Sequence, residues 1–239
     1  MRRFLIRAAS IAAASTAVAA MVPTATAVAA QELSFRPLQY NINGYNWGGY
    51  AATGSGFSSV SATWTEANAT CNSTNDLYAP WVGIDGYGSS TVEQTGVATD
   101  CSSGHAVDQA WYEMYPANPV YLSTSSYPVS AGDSISASVT YAGSSKYTLK
   151  LTNNSRGWTY TITKTLRSAR RLSAEVIIES PTAAYPNFGT ISFTGCTVNG
   201  SPIGNFSPVA MDPSNSSGYE AHANALSGGN AFTMNYLHE

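Results

Sequence analysis

Two stretches of the chain set carboxylates an even number of residues from large aromatic side chains, and a third carries two carboxylates. They are Trp81-Val82-Gly83-Ile84-Asp85, Trp111-Tyr112-Glu113-Met114-Tyr115 and Ala174-Glu175-Val176-Ile177-Ile178-Glu179. In an extended backbone, residues two apart share a face. Alternation therefore groups Trp81 with Asp85, Trp111 with Glu113 and Tyr115, and Glu175 with Ile177 and Glu179. Aromatic rings supply contact area and carboxylates supply proton transfer, so faces of this kind suit a substrate groove. A merely solvated face carries Thr, Ser and Lys instead, as the Trp158 to Leu166 stretch does.

The common hydrolytic signatures are missing. There is no G-x-S-x-G elbow, no H-E-x-x-H zinc pair and no C-x-x-C. His105, His222 and His238 are scattered through polar, Gly- or Ala-flanked sequence, which gives no Ser-His-Asp arrangement. An aspartic dyad needs two Asp-Thr/Ser-Gly turns, and the nearest match is a single Gln94-Thr95-Gly96. No metal and no cofactor is expected.

The elements that must position these residues are strands. Val60, Ala62 and Trp64 alternate with Ser61, Thr63 and Thr65, and Ile135, Ala137, Val139 and Tyr141 alternate with Ser136, Ser138 and Thr140. Trp158, Tyr160 and Ile162 alternate with threonines, and Phe232, Met234 and Tyr236 close the chain in the same way. Such patterns describe half-buried antiparallel strands. Turn sequences such as Asn153-Asn154-Ser155-Arg156-Gly157 and Asn199-Gly200 separate them, and helical stripes are nearly absent. The expectation is an all-β sandwich or barrel, with one domain over 46–239.

Composition bounds the function. Of 239 residues only 10% are charged, with 11 basic against 14 acidic, and no basic cluster goes beyond Arg167, Arg170 and Arg171. Phosphate neutralisation needs more than that, which excludes a nucleic-acid partner. Few charges also suit acid, where proteins unfold largely by protonation of paired carboxylates. Arg2, Arg3 and Arg7 precede an apolar stretch ending in Ala27-Val28-Ala29, the pattern of a secretory signal peptide over 1–29. Residues 30–45 then read as an N-terminal arm or short propeptide. No later apolar run is long enough to span a membrane, so a secreted monomer is expected.

An exported chain with three cysteines suggests one disulfide and one free thiol. Cys71 and Cys101 lie in loop-like sequence, whereas Cys196 lies inside the alternating run from Ile191. The expected pair is Cys71 with Cys101, leaving Cys196 as a packed thiol.

Six motifs occur in one order: Asn46-Trp47-Gly48-Gly49-Tyr50, Trp81-Val82-Gly83-Ile84-Asp85-Gly86, Gln94-Thr95-Gly96, Ala110-Trp111-Tyr112-Glu113-Met114-Tyr115-Pro116, Ala174-Glu175 and Phe188-Gly189-Thr190-Ile191-Ser192-Phe193. In order and rough spacing the chain resembles the glutamic endopeptidases, the eqolisins, from Asn46 to its C-terminus. The resemblance implies a concanavalin-like sandwich of two antiparallel sheets and endopeptidase activity in acid on protein or peptide substrates. It implies a catalytic pair at Gln94 and Glu175, with Glu175 as general base and acid to a water and Gln94 as oxyanion donor. Trp81, Asp85, Trp111, Glu113 and Tyr115 match positions that line the family's groove. Two positions depart from the family's pattern: Val176 replaces a bulky aromatic, and Gln109 replaces an acidic residue, with Asp108 one place earlier. The rival reading of the same aromatic and acidic faces is a secreted carbohydrate-binding sandwich, or a glycosidase using Glu113 and Glu175.

Overall fold

A computed structural model describes residues 38–238, and the predicted signal segment lies outside them. In chain order the strands are β1 (Ile42–Asn43), β2 (Trp47–Thr53), β3 (Ser59–Thr65), β4 (Leu77–Ile84), β5 (Val92–Asp100) and β6 (Val107–Tyr115). There follow β7 (Val120–Tyr121), β8 (Ser134–Gly143), β9 (Lys146–Asn153), β10 (Trp158–Thr165), β11 (Ser173–Glu179) and β12 (Thr190–Val198). The last are β13 (Ser201–Pro202), β14 (Val209–Asp212), β15 (Ser214–Asn215), β16 (Gly218–Tyr219), β17 (Ala221–Ala223) and β18 (Phe232–Tyr236). The first sheet runs β1-β14-β2-β11-β4-β5-β6-β7 and the second β10-β9-β8-β3-β12-β18-β17, with β13 beside β12. Both are antiparallel as expected, apart from the parallel pair β1 and β14.

The second sheet obeys the alternation read from its sequence. Val60, Ala62 and Trp64, Ile135, Ala137 and Val139, and Tyr147, Leu149 and Leu151 are all buried against the first sheet. Its outward face is a lattice of hydroxyls. Ser61 meets Thr197 at 2.7 Å, Thr63 meets Ser136 at 2.8 Å, Thr148 meets Thr163 at 2.9 Å and Thr152 meets Thr159 at 3.1 Å. These cross-strand hydroxyl pairs satisfy each other where the ladder brings their Cβ atoms together.

The first sheet is different. β4, β5 and β11 are buried on both faces over almost their whole length. One face joins the core between the sheets. The other carries a separate cluster of Ala51, Ala79, Trp81, Val92, Trp111, Ile177 and Met211, with Trp47 and Tyr87 packed on it.

The described part of the N-terminal arm joins this sheet. Asn41 donates its backbone N–H and its side-chain amide to the two carboxylate oxygens of buried Asp212, at 2.8 and 2.9 Å. Asp212 also accepts from the Ala223 N–H and bonds the His222 ring at 2.8 Å.

Cys71 and Cys101 are bonded, with Cα atoms 5.8 Å apart, and they fasten the loop after β3 to the end of β5. Cys196 is free and buried, and burial pushes its thiol up to about 12, which leaves it no nucleophilic form. Closing a loop of 30 residues removes about 3.6 kcal/mol of unfolded-chain entropy on the polymer model. A Cys71→Ser/Cys101→Ser variant is therefore expected to melt roughly 10 °C below the parent in a calorimetric scan. A shift under about 2 °C would show that neighbouring contacts hold the loop without the bond.

Candidate active site

Register sets one row of residues across the first sheet. Glu113 on β6 pairs with Gln94 on β5, Gln94 with Gly83 on β4, Gly83 with Glu175 on β11, and Glu175 with Ala51 on β2. Paired residues point to the same side of a sheet, so Glu113, Gln94 and Glu175 share the face turned away from the core. Gln94 and Glu175 stand two strands apart, roughly 9.6 Å between Cα atoms. Between them is a glycine. A Cβ on Gly83 would come within 2.8 Å of the Trp81 ring and 3.2 Å of the Gln94 Cβ, so no other residue leaves the gap open.

Gln94 is only 5% exposed. Its amide Nε2 donates to Glu113 Oε2 at 2.6 Å, while its Oε1 has no partner among the described residues. Glu175 is fully buried; its Oε1 accepts the Tyr87 N–H at 3.3 Å and its Oε2 has no hydrogen-bond partner among the described residues. Burial holds the Glu175 carboxyl well above the usual carboxylate range, and the neighbouring Asp85 adds to this, against the Tyr87 N–H donor. Burial also raises Glu113, with the Gln94 amide opposing.

A cavity of about 460 Å³ opens beside the row. Trp47, Gln94, Trp111, Glu113, Tyr115 and Glu179 line it, and the small residues Ala79 and Ala98 deepen its floor. Tyr115 stands at the rim, 48% exposed. Glu179 accepts from the Asn46 amide at 3.0 Å and the Trp81 indole at 3.1 Å, and burial, with the charge of Glu113 adding, pushes it up to about 7. Glu175 is not on the cavity wall. It lies beneath the β4–β5 turn, whose Gly86, Ser89 and Ser90 face the cavity.

Of the five residues read as groove lining, Trp111, Glu113 and Tyr115 line the cavity. Trp81 lies one layer below, packed edge-on to Trp47 at 5.0 Å, and holds Glu179 through its indole N–H. Asp85 does not face the groove, a correction with a local cause. Alternation holds only while the backbone stays extended, and Asp85, the residue after β4, lies in the left-handed region at φ +67°. Its carboxylate instead accepts the backbone N–H groups of Arg170, Arg171 and Leu172 at 2.7 to 2.9 Å. Asp85 thus shapes the turn that leads into β11. Trp47 and Glu179 were missing from the sequence-based lining, although Glu179 shares a strand face with Glu175. Among the described residues no three His, Cys, Asp or Glu side chains gather as a metal site requires.

The sequence profile of the Peptidase A4 family matches residues 45–232. The chain belongs to this family. Among solved structures, the A4 chain is similar to scytalido-glutamic peptidase in complex with a peptide-based transition-state analog. The two share 25% identity at a TM-score of 0.69, over 81% of this chain and 99% of the other. Aspergilloglutamic peptidase from Aspergillus niger shares 28% identity at a TM-score of 0.59, over 68% of this chain and 99% of that one. The eqolisin SCP-B, in complex with the tripeptide Ala-Ile-His, shows the same fold at 24% identity and a TM-score of 0.65. No curated protein sequence matches the chain. The A4 chain is a glutamic-type endopeptidase with the eqolisin β-sandwich, and the carbohydrate-binding reading is set aside.

Proposed function

We propose that this A4 peptidase is exported, loses residues 1–29, keeps the arm that Asn41 ties to Asp212, and cleaves proteins in acid as a monomer with Gln94 and Glu175 as its catalytic pair. The observation that carries the reading is the row itself. Gln94 Oε1 and Glu175 Oε2 are two buried oxygens without partners among the described residues on either side of Gly83, so once Glu175 is ionised a water with two hydrogens has one place to give each. Glu175 takes a proton from that water as the oxygen attacks the peptide carbonyl carbon. The resulting oxyanion accepts an N–H of Gln94, whose other N–H stays on Glu113. Glu175 then passes its proton to the amide nitrogen, and the carbon–nitrogen bond breaks.

Glu113 is a positioning residue in this scheme, because its carboxylate dictates which way the Gln94 amide faces. Trp47, Trp111, Tyr115 and Glu179 hold the peptide. Substrate entry lifts the Tyr87 turn from Glu175, and hydration returns the carboxyl toward its ordinary range, so it ionises in mild acid.

The test is digestion of haemoglobin or casein by the purified protein near pH 4, with products read by mass spectrometry. Internal cleavage that persists in EDTA and falls away near neutral pH is expected. Cleavage that EDTA abolishes, or release of single terminal residues only, would overturn the scheme.

A further inference from the structure

Gln94 has a neighbour that the catalytic scheme does not use. Glu93 is one residue away on β5, so its side chain points through the sheet into the core rather than into the groove. It pairs in register with Ile84 on one side and Met114 on the other, both buried apolar residues. Glu93 is 0% exposed, and neither carboxyl oxygen has a hydrogen-bond partner among the described residues. Other buried acids of this chain are better served. Glu66 accepts from the Trp64 indole at 3.0 Å and the Tyr78 hydroxyl at 3.3 Å, and Glu179 has Asn46 and Trp81.

The surroundings of Glu93 oppose a charge on it. Asp85 lies beside it, its carboxyl oxygens held by three backbone N–H groups, and raises it. Tyr147 on β9 faces it from the second sheet, its phenol pushed up by burial and by Glu93, and makes no hydrogen bond to it. Glu175 is an acid on the other face of the same sheet. Arg171 is a cation near Tyr147, and its guanidinium stacks on the Tyr141 ring at 4.1 Å, with Tyr141 against Tyr147. An unpaired carboxylate among these groups would cost several kcal/mol, so the group keeps its proton. Burial, with the charge of Asp85 adding, pushes it up to about 9.

We propose that Glu93 is a proton-dependent latch, which packs as one more core side chain while protonated and, once ionised, repels Asp85 and loosens the two turns, 85–91 and 170–172, that flank Glu175. The geometry links the parts directly. Asp85 begins the first turn and its carboxylate holds the backbone of the second, so a charge that displaces Asp85 disturbs both together. The sign follows from the folded carboxyl binding its proton more tightly than the unfolded one. The latch's contribution is complete below the unfolded value of about 4.5 and is lost as pH rises from there through about 9. The inference does not depend on the catalytic assignment, since it concerns which pH range keeps the corner closed.

The experiment compares the full protein with Glu93→Gln and Glu93→Leu across pH 4 to 10, without any activity assay. Tryptophan fluorescence gives the pH of half-unfolding, and hydrogen exchange corrected for intrinsic rate gives the protection of 85–91 and 170–172 against that of β8 and β9. Both variants are expected to raise the midpoint by about one pH unit or more. In the parent the two turns should lose protection before β8 and β9, and in Glu93→Leu they should keep it. Unchanged midpoints in both variants, or loss of protection by turns and strands together in the parent, would overturn the latch. So would failure of both variants to fold at pH 4, because the side chain would then be an ordinary support at every pH.

Discussion

A Glu175→Gln enzyme is expected to fold as the parent does and to show no measurable cleavage of protein near pH 4. The amide is the same size as the carboxyl, and its oxygen still accepts the Tyr87 N–H, so the covered state keeps its contact. The resting carboxyl is neutral because it is buried, which makes the exchange for an uncharged group nearly silent for stability in acid. What disappears is the group that takes a proton from water and returns it to nitrogen, since the other carboxyl of the row, Glu113, is committed to the Gln94 amide. General acid–base catalysis is worth about 10²- to 10⁴-fold for one such step, and Glu175 serves two. Initial rates from a fluorogenic peptide, alongside a thermal melt at the same pH, separate the two effects. A variant that cleaves at close to the parent rate would remove Glu175 from the mechanism.

Gln94→Ala should lower kcat by roughly 100- to 1000-fold, the effect of deleting one oxyanion donor in comparable sites, and leave KM within a few-fold. The division matters more than the size. An amide that meets charge only as the carbonyl becomes tetrahedral contributes to the transition state and little to ground-state binding. A raised KM with unchanged kcat would mean that Gln94 merely binds substrate. The variant also strips Glu113 of the donor that opposes its upward shift, so the acid limb of its pH–rate profile should move to higher pH where Glu113 contributes.

Much of the architecture was legible because one rule, alternation, governs it. The runs through Trp64, Val139 and Ile162 read as strands, and their apolar residues face inward. Trp111, Glu113 and Tyr115 fell on one face for the same reason, and cysteine placement sufficed for the disulfide. Alternation failed where the backbone left the extended region, as at Asp85. It was also silent on what lies between strands distant in sequence. Nothing in Trp-Val-Gly-Ile-Asp announces that its glycine separates Gln94 from Glu175, because that depends on the register of three strands. The two-residue strand β1 was beyond reach too, since its partner β14 is some 170 residues away and parallel.

The hydroxyl lattice on the outside of the second sheet bears on how the molecule behaves as a colloid. A surface kept in solution by carboxylates sheds its hydration and its mutual repulsion as acid neutralises them, and molecules then begin to adhere. Serine and threonine hydroxyls do not titrate where carboxylates do, and pairs such as Thr148 with Thr163 hold one another in place. The hydroxyls of this face therefore present water with the same donors and acceptors in strong acid as at neutrality. The hydration that these hydroxyls provide is expected to rest on hydrogen bonding, which a fall in pH leaves untouched.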